Sequence, residues 1–589
     1  MASTLILLTI GAPWLGALLV WLIGDRRARA QHALAGGASL VAAVAALGLL
    51  RAEHWGGTDV VTFSLPFGPF IGDMTFVADG LAVYLTVIAT VIGSLTVIFS
   101  AGYMAGQAQL GRYYALVLIF IGAMCGLVLS GNLLFLFLFW EATAFCSYAL
   151  IAFHNDDPKA VAAGIKALII TQLGGVGLLI GVIVAAAYLP DLQVSTLLAA
   201  AGDLPNAVLT IIAFGFLLAA MAKSAQVPLH IWLPDAMEAP TPVSALIHAA
   251  TMVNAGVYLL SRFYPAFVGV AYWATAVLVI GVLSALVAAL LATTCYDLKR
   301  VLAYSTVSQL GYMVAGVGLG AIYESQFYLF SHAIFKALLF LGAGAIIHAL
   351  GTRDMRQMGG LWRRMPSVAV PFLIGAAALV GLPFFNGFWS KELLLESALE
   401  HGPMWVYPLL VLVAAITAFY TARLCRMVFF APTESTHRDH VAPAMLVPLV
   451  LLAVGVLFAW LLAEPFAVWL QQTMPFHAAY LLPELPVEDI ISTHTVLGLS
   501  TLIVLTMTVV GLFLGWRSAG RAAATDTPYA RGIGRLESVF NEAAGGVAGL
   551  TQGAAAQLQK TQTGQLNLNV AAIVVGLIAL LILILQGVL

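Results

Sequence analysis

Three lysines and one glutamate stand within or at the edge of long apolar runs, where ionised side chains are expensive. Glu141 lies in LFLFLFWEATAFCSYAL with no basic residue one turn away, and Lys223 ends the run TIIAFGFLLAAMAK just before the breaker SAQVP. Lys336 lies in FYLFSHAIFKALLFLGAGAIIH, four residues after His332, which puts both side chains on one face of a helix. Lys391 and Glu392 follow GLPFFNGFWS, where Pro383 and Gly387 are expected to unwind the chain at membrane depth. His248 in SALIHAATMVNAGVYL and His348, which closes the Lys336 segment, add two imidazoles.

A charge at the centre of a membrane helix costs at least about 2.5–3.5 kcal/mol on insertion scales, so each of these groups needs a partner, a water cavity or a function. Neither Glu141 nor Lys223 is satisfied within its own run, so they are expected to pair with each other or with water across helices. Protons suit these residue types. A lysine in a low-dielectric site can release its proton near neutrality, and imidazole already titrates there. Movement of Glu141 relative to Lys223 would then couple conformation to proton affinity. Blander readings stand beside this one: His248 and His332 as hydrogen-bonded packing residues, Lys391 as a boundary lysine reaching the surface, and Tyr304, Ser305, Ser308 and Gln309 as helix-packing glue.

The elements that must position these groups are membrane helices. Of the 589 residues, 62% are apolar and only 9% charged, with a mean hydropathy of +1.00, which excludes a soluble protein. A spanning helix needs roughly 20 apolar residues. The sequence predicts about sixteen, near 3–23, 31–50, 79–100, 112–129, 132–153, 165–188, 206–224, 242–263, 272–294, 300–320, 325–347, 367–389, 403–430, 443–463, 491–515 and 567–588. The first run has no basic leader and is followed by Arg26, Arg27 and Arg29, so it reads as an anchor rather than a cleaved signal. Numbered alternately, the loops on one side hold almost all Lys and Arg, from Arg26 through Lys299, Arg300 and Arg353 to Arg517 and Lys560. The other side has essentially Arg51 and Arg262. Basic residues stay on the cytoplasmic side of short loops, so both termini are expected on the non-cytoplasmic face of a cytoplasmic (inner) membrane.

Cys125, Cys146, Cys295 and Cys425 lack the close spacing of a cluster or zinc site and are expected as unpaired thiols. No GxxxxGK[ST] loop and no GxGxxG turn is present, so no resident cofactor is expected and any energy source lies in another chain. Before the third span, TFSLPFGPFIGDM reads as short extended structure on the surface. Residues 529–562 place Ile533, Leu536, Phe540, Ala544, Val547, Leu550, Ala554 and Leu558 at alternating three- and four-residue steps, the period of an amphipathic helix lying along a surface for roughly 50 Å. A long loop is the alternative, favoured by Gly545, Gly546, Gly549 and Gly553.

These residues resemble the antiporter-like subunits of respiratory complex I and the related Mrp-type cation/proton antiporters. The resemblance is carried by FVADGLAVY, FLFWEATAF, AKSAQVPLHIWLPDAMEAPTPVSALIHAATMVNAGVYL, LKRVLAYSTVSQLGYM, SHAIFKALLFLGAGAIIHALGTRDMRQMGGLWRRMP and GLPFFNGFWSKELLLE. It implies an all-α polytopic fold with two inverted five-helix repeats and broken helices: helices one to three over 1–111, the repeats over 112–263 and 264–430, further helices over 431–515, a lateral amphipathic helix over 516–566 and a terminal anchor over 567–589. Each repeat would hold a half-channel, with Glu141, Lys223 and His248 in the first and His332, Lys336 and Lys391 in the second. A lysine at 391 looks like subunit L or the large Mrp subunit. Where subunit L typically carries an Arg and an Asp on its sixth helix, ALIITQLGGVGLLIG offers Gln172 and Gly175, which looks more like Mrp-type or membrane-hydrogenase relatives.

The implied function is a proton-translocating subunit of a complex I-like redox-driven pump. A monovalent cation/proton antiporter subunit, or a membrane subunit of a hydrogenase or an inorganic-carbon-uptake system, is the alternative. The implied partners are neighbouring membrane subunits touched by the lateral helix, protons, Na+ in the antiporter reading, and lipid. No nucleic acid is implied.

Overall fold

A computed structural model describes residues 2–25, 27–55, 60–66, 73–432, 440–481 and 498–519, and, in a second compact unit, 531–542 with single positions nearby. In hydrocarbon every backbone polar group must be satisfied within the segment, so apolar sequence folds as helices. The order is α1 (Ala2–Ile23) and α2 (Ala28–Trp55), then β1 (Val61–Pro66) and β2 (Asp73–Ala78), followed by α3 (Gly80–Tyr103), α4 (Leu110–Leu129), α5 (Leu133–Ile151), α6 (Pro158–Tyr188), α7 (Val194–Ala200) and α8 (Asn206–Lys223). After a series of turns holding α9 (Trp232–Asp235) come α10 (Thr241–Ala245), α11 (Asn254–Phe267), α12 (Trp273–Thr294), α13 (Leu298–Leu319), α14 (Ile322–Leu350), α15 (Leu361–Arg364), α16 (Pro366–Val380), α17 (Asn386–Glu400), α18 (Val406–Cys425), α19 (Pro443–Phe458), α20 (Ala463–Thr473) and α21 (Leu499–Ala519).

Among the described residues, thirteen helical segments are long and apolar enough to cross a membrane. The expected span at 300–320 is helical as α13 but too polar to count with them. It is buried on all sides, and a helix with no lipid-facing side needs no apolar face. The expected span at 367–389 is two helices, not one: α16 stops at Val380, Gly381 and Phe384 take positive φ (+83° and +76°), and α17 starts at Asn386. Pro383 lies inside that break, but Gly387 does not unwind the chain. It sits in the first turn of α17, where a side chain would collide with the carbonyl of Ala378. The sixteenth expected span, 567–588, lies outside the described residues.

A second break separates α8 from α11. Between them α10 runs into the single wide turn Leu246–Ala250, and α11 resumes at Asn254. Thr241–Phe267 is buried along almost its whole length, whereas α21 is largely exposed, so this broken helix is at the centre of the helical bundle and α21 at its outer edge. Close helix contacts come from glycine: Gly281 with Gly311 lets α12 and α13 touch backbone to backbone, and Gly177 with Gly215 does so for α6 and α8.

The surface segment before α3 is the antiparallel hairpin β1–β2, with Val61 opposite Ala78. It delivers Asp79, whose carboxylate accepts the Ala82 amide (2.9 Å) as the α3 N-cap and also pairs with both terminal nitrogens of Arg262 on α11. The helix α6 begins earlier than expected, with Asp157 as N-cap and Pro158 in its first turn. The four cysteines are unpaired. Residues 531–542 are helical within the expected 516–566 segment, residues 516–519 close α21, and most of the rest of that segment and the 567–589 anchor lie outside the described residues.

Candidate functional site

The residues singled out in the sequence fall into two clusters. In the first, Lys223 is the last residue of α8 and is fully buried. Its ammonium donates to the Trp140 carbonyl (2.5 Å) and the Thr143 hydroxyl (2.7 Å) on α5, and lies 4.2 Å from the centre of the Trp140 ring. Glu141 does not meet it directly. Among the described residues no ion pair joins the two, although their charges interact through space. The Gln172 side-chain amide on α6 donates to Glu141 Oε2, while Oε1 is buried without a protein partner beside Gly175.

Trp232 links the clusters. Its indole N–H donates to the Ala222 carbonyl (2.9 Å), next to Lys223, and its ring stacks on His248 at 6.5 Å. On α14, the Phe340 ring also stacks on His248, at 5.4 Å. His332 and Lys336 are fully buried on the same α14. Both ring nitrogens of His248 and both of His332 are buried with no protein hydrogen-bond partner. Lys336 donates to the Ser305 hydroxyl and the Leu302 carbonyl (3.3 Å) of α13. Lys391 reaches back across the break to the Leu379 carbonyl (2.9 Å), in the last turn of α16 where carbonyls lose their helical partners. The rings of Tyr312 and Tyr328 flank it at 5.7 and 5.9 Å. Lys336 interacts electrostatically with Lys391, His332 and His248. Lys391 is 2% exposed, so it does not reach out to the surface. His348 is exposed against Tyr103 and is not part of the buried file.

Of the polar series on α13, Ser305 holds Lys336, whereas Ser308 bonds the Ala285 carbonyl (2.9 Å) and packs α13 on α12. Lys299, read from sequence as a loop charge, is buried and donates to the Met237 and Ala239 carbonyls (2.8 and 2.6 Å). It interacts electrostatically with His248. Its sequence neighbours Asp297 and Arg300 help line, with Lys166, Asp235 and Glu238, a cavity of about 400 Å³, in which Lys166 and Asp235 pair at 2.7 Å.

One feature unites the four buried lysines. Each rests on carbonyl or hydroxyl oxygens instead of a carboxylate. Ammonium and neutral amine can both donate to such acceptors, so loss of a proton leaves the geometry intact. A carboxylate partner would hold the proton in place.

Residues 130–417 match the family described as NADH:quinone oxidoreductase/Mrp antiporter, TM, and residues 65–114 match the complex I chain 5 N-terminus. The chain is 39% identical over 445 residues to Na(+)/H(+) antiporter subunit A1 of Staphylococcus haemolyticus, a match covering 70% of this chain and 55% of that one. It is 39% identical over 452 residues to NAD(P)H-quinone oxidoreductase chain 5 of a Picosynechococcus species, covering 70% and 68%. A chain in the solved Mrp complex of a Dietzia species superposes with a TM-score of 0.77 at 28% identity, covering 100% of this chain and 63% of that one. Both solved and curated antiporter relatives are thus longer than the region matched.

Proposed function

The chain belongs to the family of membrane subunits shared by NADH:quinone oxidoreductases and Mrp antiporters, and on that premise we propose that it moves protons across the membrane as one subunit of a redox-driven complex. The observation that carries the proposal is the file of buried lysines seated on neutral oxygens, with two imidazoles among them whose ring nitrogens have no protein partner. A buried polar group without a partner costs about 1–3 kcal/mol, so four such nitrogens in two buried rings favour bridging water. Glu141 and Lys223 load the first half, His248 passes the proton between halves, and His332, Lys336 and Lys391 carry it on. Lys299 and the charged cavity lined by its sequence neighbours serve as the approach from one surface. In this reading electron transfer in another subunit drives the cycle.

The two breaks, one in 112–263 and one in 264–430, support two five-helix repeats with a half-channel each. The loop charge asymmetry supports both termini on the non-cytoplasmic face, and the helix at 531–542 supports a helical rather than looped start to the lateral element.

Cation/proton antiport is the second reading. It is favoured by the likeness of all of this chain to part of the Dietzia Mrp chain and by Gln172 and Gly175 on α6. Everted membrane vesicles separate the two: redox-driven acidification insensitive to Na+ supports the pump, and a Na+-dependent pH change without electron donor supports exchange. Under either drive, Glu141→Gln and Lys336→Ala are expected to stop proton movement while the assembly persists. Normal movement in both variants would end the proposal.

A further inference from the structure

Gly175 is a glycine in the interior of a spanning helix, where this residue weakens the helix relative to alanine. The other glycines of α6 explain themselves by helix packing, Gly164 against Tyr148 and Ala152 and three more against α8. Gly174, Gly177 and Gly181 lie against Ala222, Gly215 and Phe216 of α8, and a side chain at any of them would force the two helices apart. At Gly175 none of the three nearest atoms belongs to α8. A Cβ built there would collide with Glu141 Oε1 of α5, and its next neighbours are Glu141 Cδ at 3.3 Å and Gln172 Oε1 at 3.6 Å. The missing side chain therefore makes room first of all for one carboxyl group.

We infer that Gly175 and Gln172 are positioning residues that form a seat for the Glu141 carboxyl group, fixing its place by shape and one neutral hydrogen bond. Gln172 lies three residues before Gly175, so the amide and the gap share one face of α6. The amide takes Oε2 and the gap admits Oε1. Because an amide carries no charge, the seat keeps the carboxyl at one depth on α5 without an ion pair that its protonation would have to break. The inference rests on the proposed role of Glu141 and names what holds that residue in register with the Lys223 cluster.

The test uses the full chain in its native membrane assembly, with proton movement measured in vesicles and thermal stability measured on the purified assembly. In Gly175→Ala the new methyl meets only the tip of a side chain, so assembly and Tm are expected to stay at or above wild type. Proton movement should fall by roughly tenfold or more, as misplaced reacting groups cost. Glu141→Asp, whose carboxyl is drawn back by one methylene, should rescue Gly175→Ala, so that the double variant is faster than Gly175→Ala alone. Gly174→Ala is the packing comparison and should lose Tm. Wild-type rates in Gly175→Ala, or a double variant equal to the product of the two single effects, would overturn the seat. If Gly175→Ala fails to assemble, Gln172→Leu, which removes the donor and leaves the gap, must slow proton movement, and wild-type rates there would overturn it as well. Glu141→Gln and Lys336→Ala separate the two ideas: normal movement in both defeats the proposed function itself, whereas inactive Glu141→Gln with active Gly175→Ala defeats the seat alone.

Discussion

Lys223, Lys336 and Lys391 were legible from the expense of a charge in an apolar run, and each proves fully or almost fully buried. What the sequence could not supply was the partner. Glu141 was expected to pair with Lys223 or with water, yet the oxygens that hold Lys223 are a main-chain carbonyl and a threonine hydroxyl 83 and 80 positions away. Lys299 escaped notice for a related reason. A lysine in the first turn of a helix reads as surface, and only the chain folding back from Met237 and Ala239 buries it. At this scale, removing the hydroxyl in Ser305→Ala leaves Lys336 the Leu302 carbonyl alone, so proton movement should slow without stopping, while Lys336→Ala stops it. Equal rates in Ser305→Ala and Lys336→Ala would show that the hydroxyl is the indispensable group. A second prediction concerns His477, which follows α20 outside the spanning helices and donates from Nε2 to the Ser261 and Arg262 carbonyls (2.9 and 3.1 Å). Burial, and next the Arg262 charge, push this imidazole down to about 4. The unfolded chain takes up a proton near pH 6.5 that the folded one refuses, so the contribution is complete above that pH and lost as pH falls toward 4. His477→Gln should flatten the dependence of Tm on pH across that window, and an unchanged slope would exclude His477 as its source.

The breaks were half legible at the element scale. Pro383 marked one correctly, but the chain turns on the positive φ of Gly381 and Phe384, and Gly387 serves close packing. The turn Leu246–Ala250 that carries His248 has no glycine or proline to announce it, because the surrounding helices enclose it on every side. Gly381→Val, which forces a branched residue into a left-handed conformation, should cost about 1–2 kcal/mol and shift the Leu379 carbonyl away from Lys391. A matched loss of Tm and of proton movement checks it. The Asp79–Arg262 pair ties α3 to α11 across 183 residues, and both side chains are more than nine-tenths buried. Each had been read only locally, Asp79 as part of a motif and Arg262 as a loop charge. Breaking a buried pair leaves one charge uncompensated and costs roughly 3–5 kcal/mol. Arg262→Leu should therefore lower Tm sharply, with Asp79→Asn added to it recovering part of the loss.

For the whole molecule, thirteen apolar helices among the described residues describe a multi-pass membrane chain, and its matches include a subunit of a larger membrane complex. Composition alone led to the class, and hydropathy to most spans. The polar α13 and the split α16–α17 departed from that pattern because they line the buried file and have little or no lipid to face. The central claim is that these lysines act by gaining and losing protons, and Lys336→Arg tests it most directly. Arginine keeps the positive charge and the donors but does not release its proton at any physiological pH. In vesicles containing the assembled complex, with the amount of assembly matched, proton movement through Lys336→Arg is expected to fall as far as in Lys336→Ala. Wild-type rates with arginine at that position would contradict the account, because a fixed charge would then suffice.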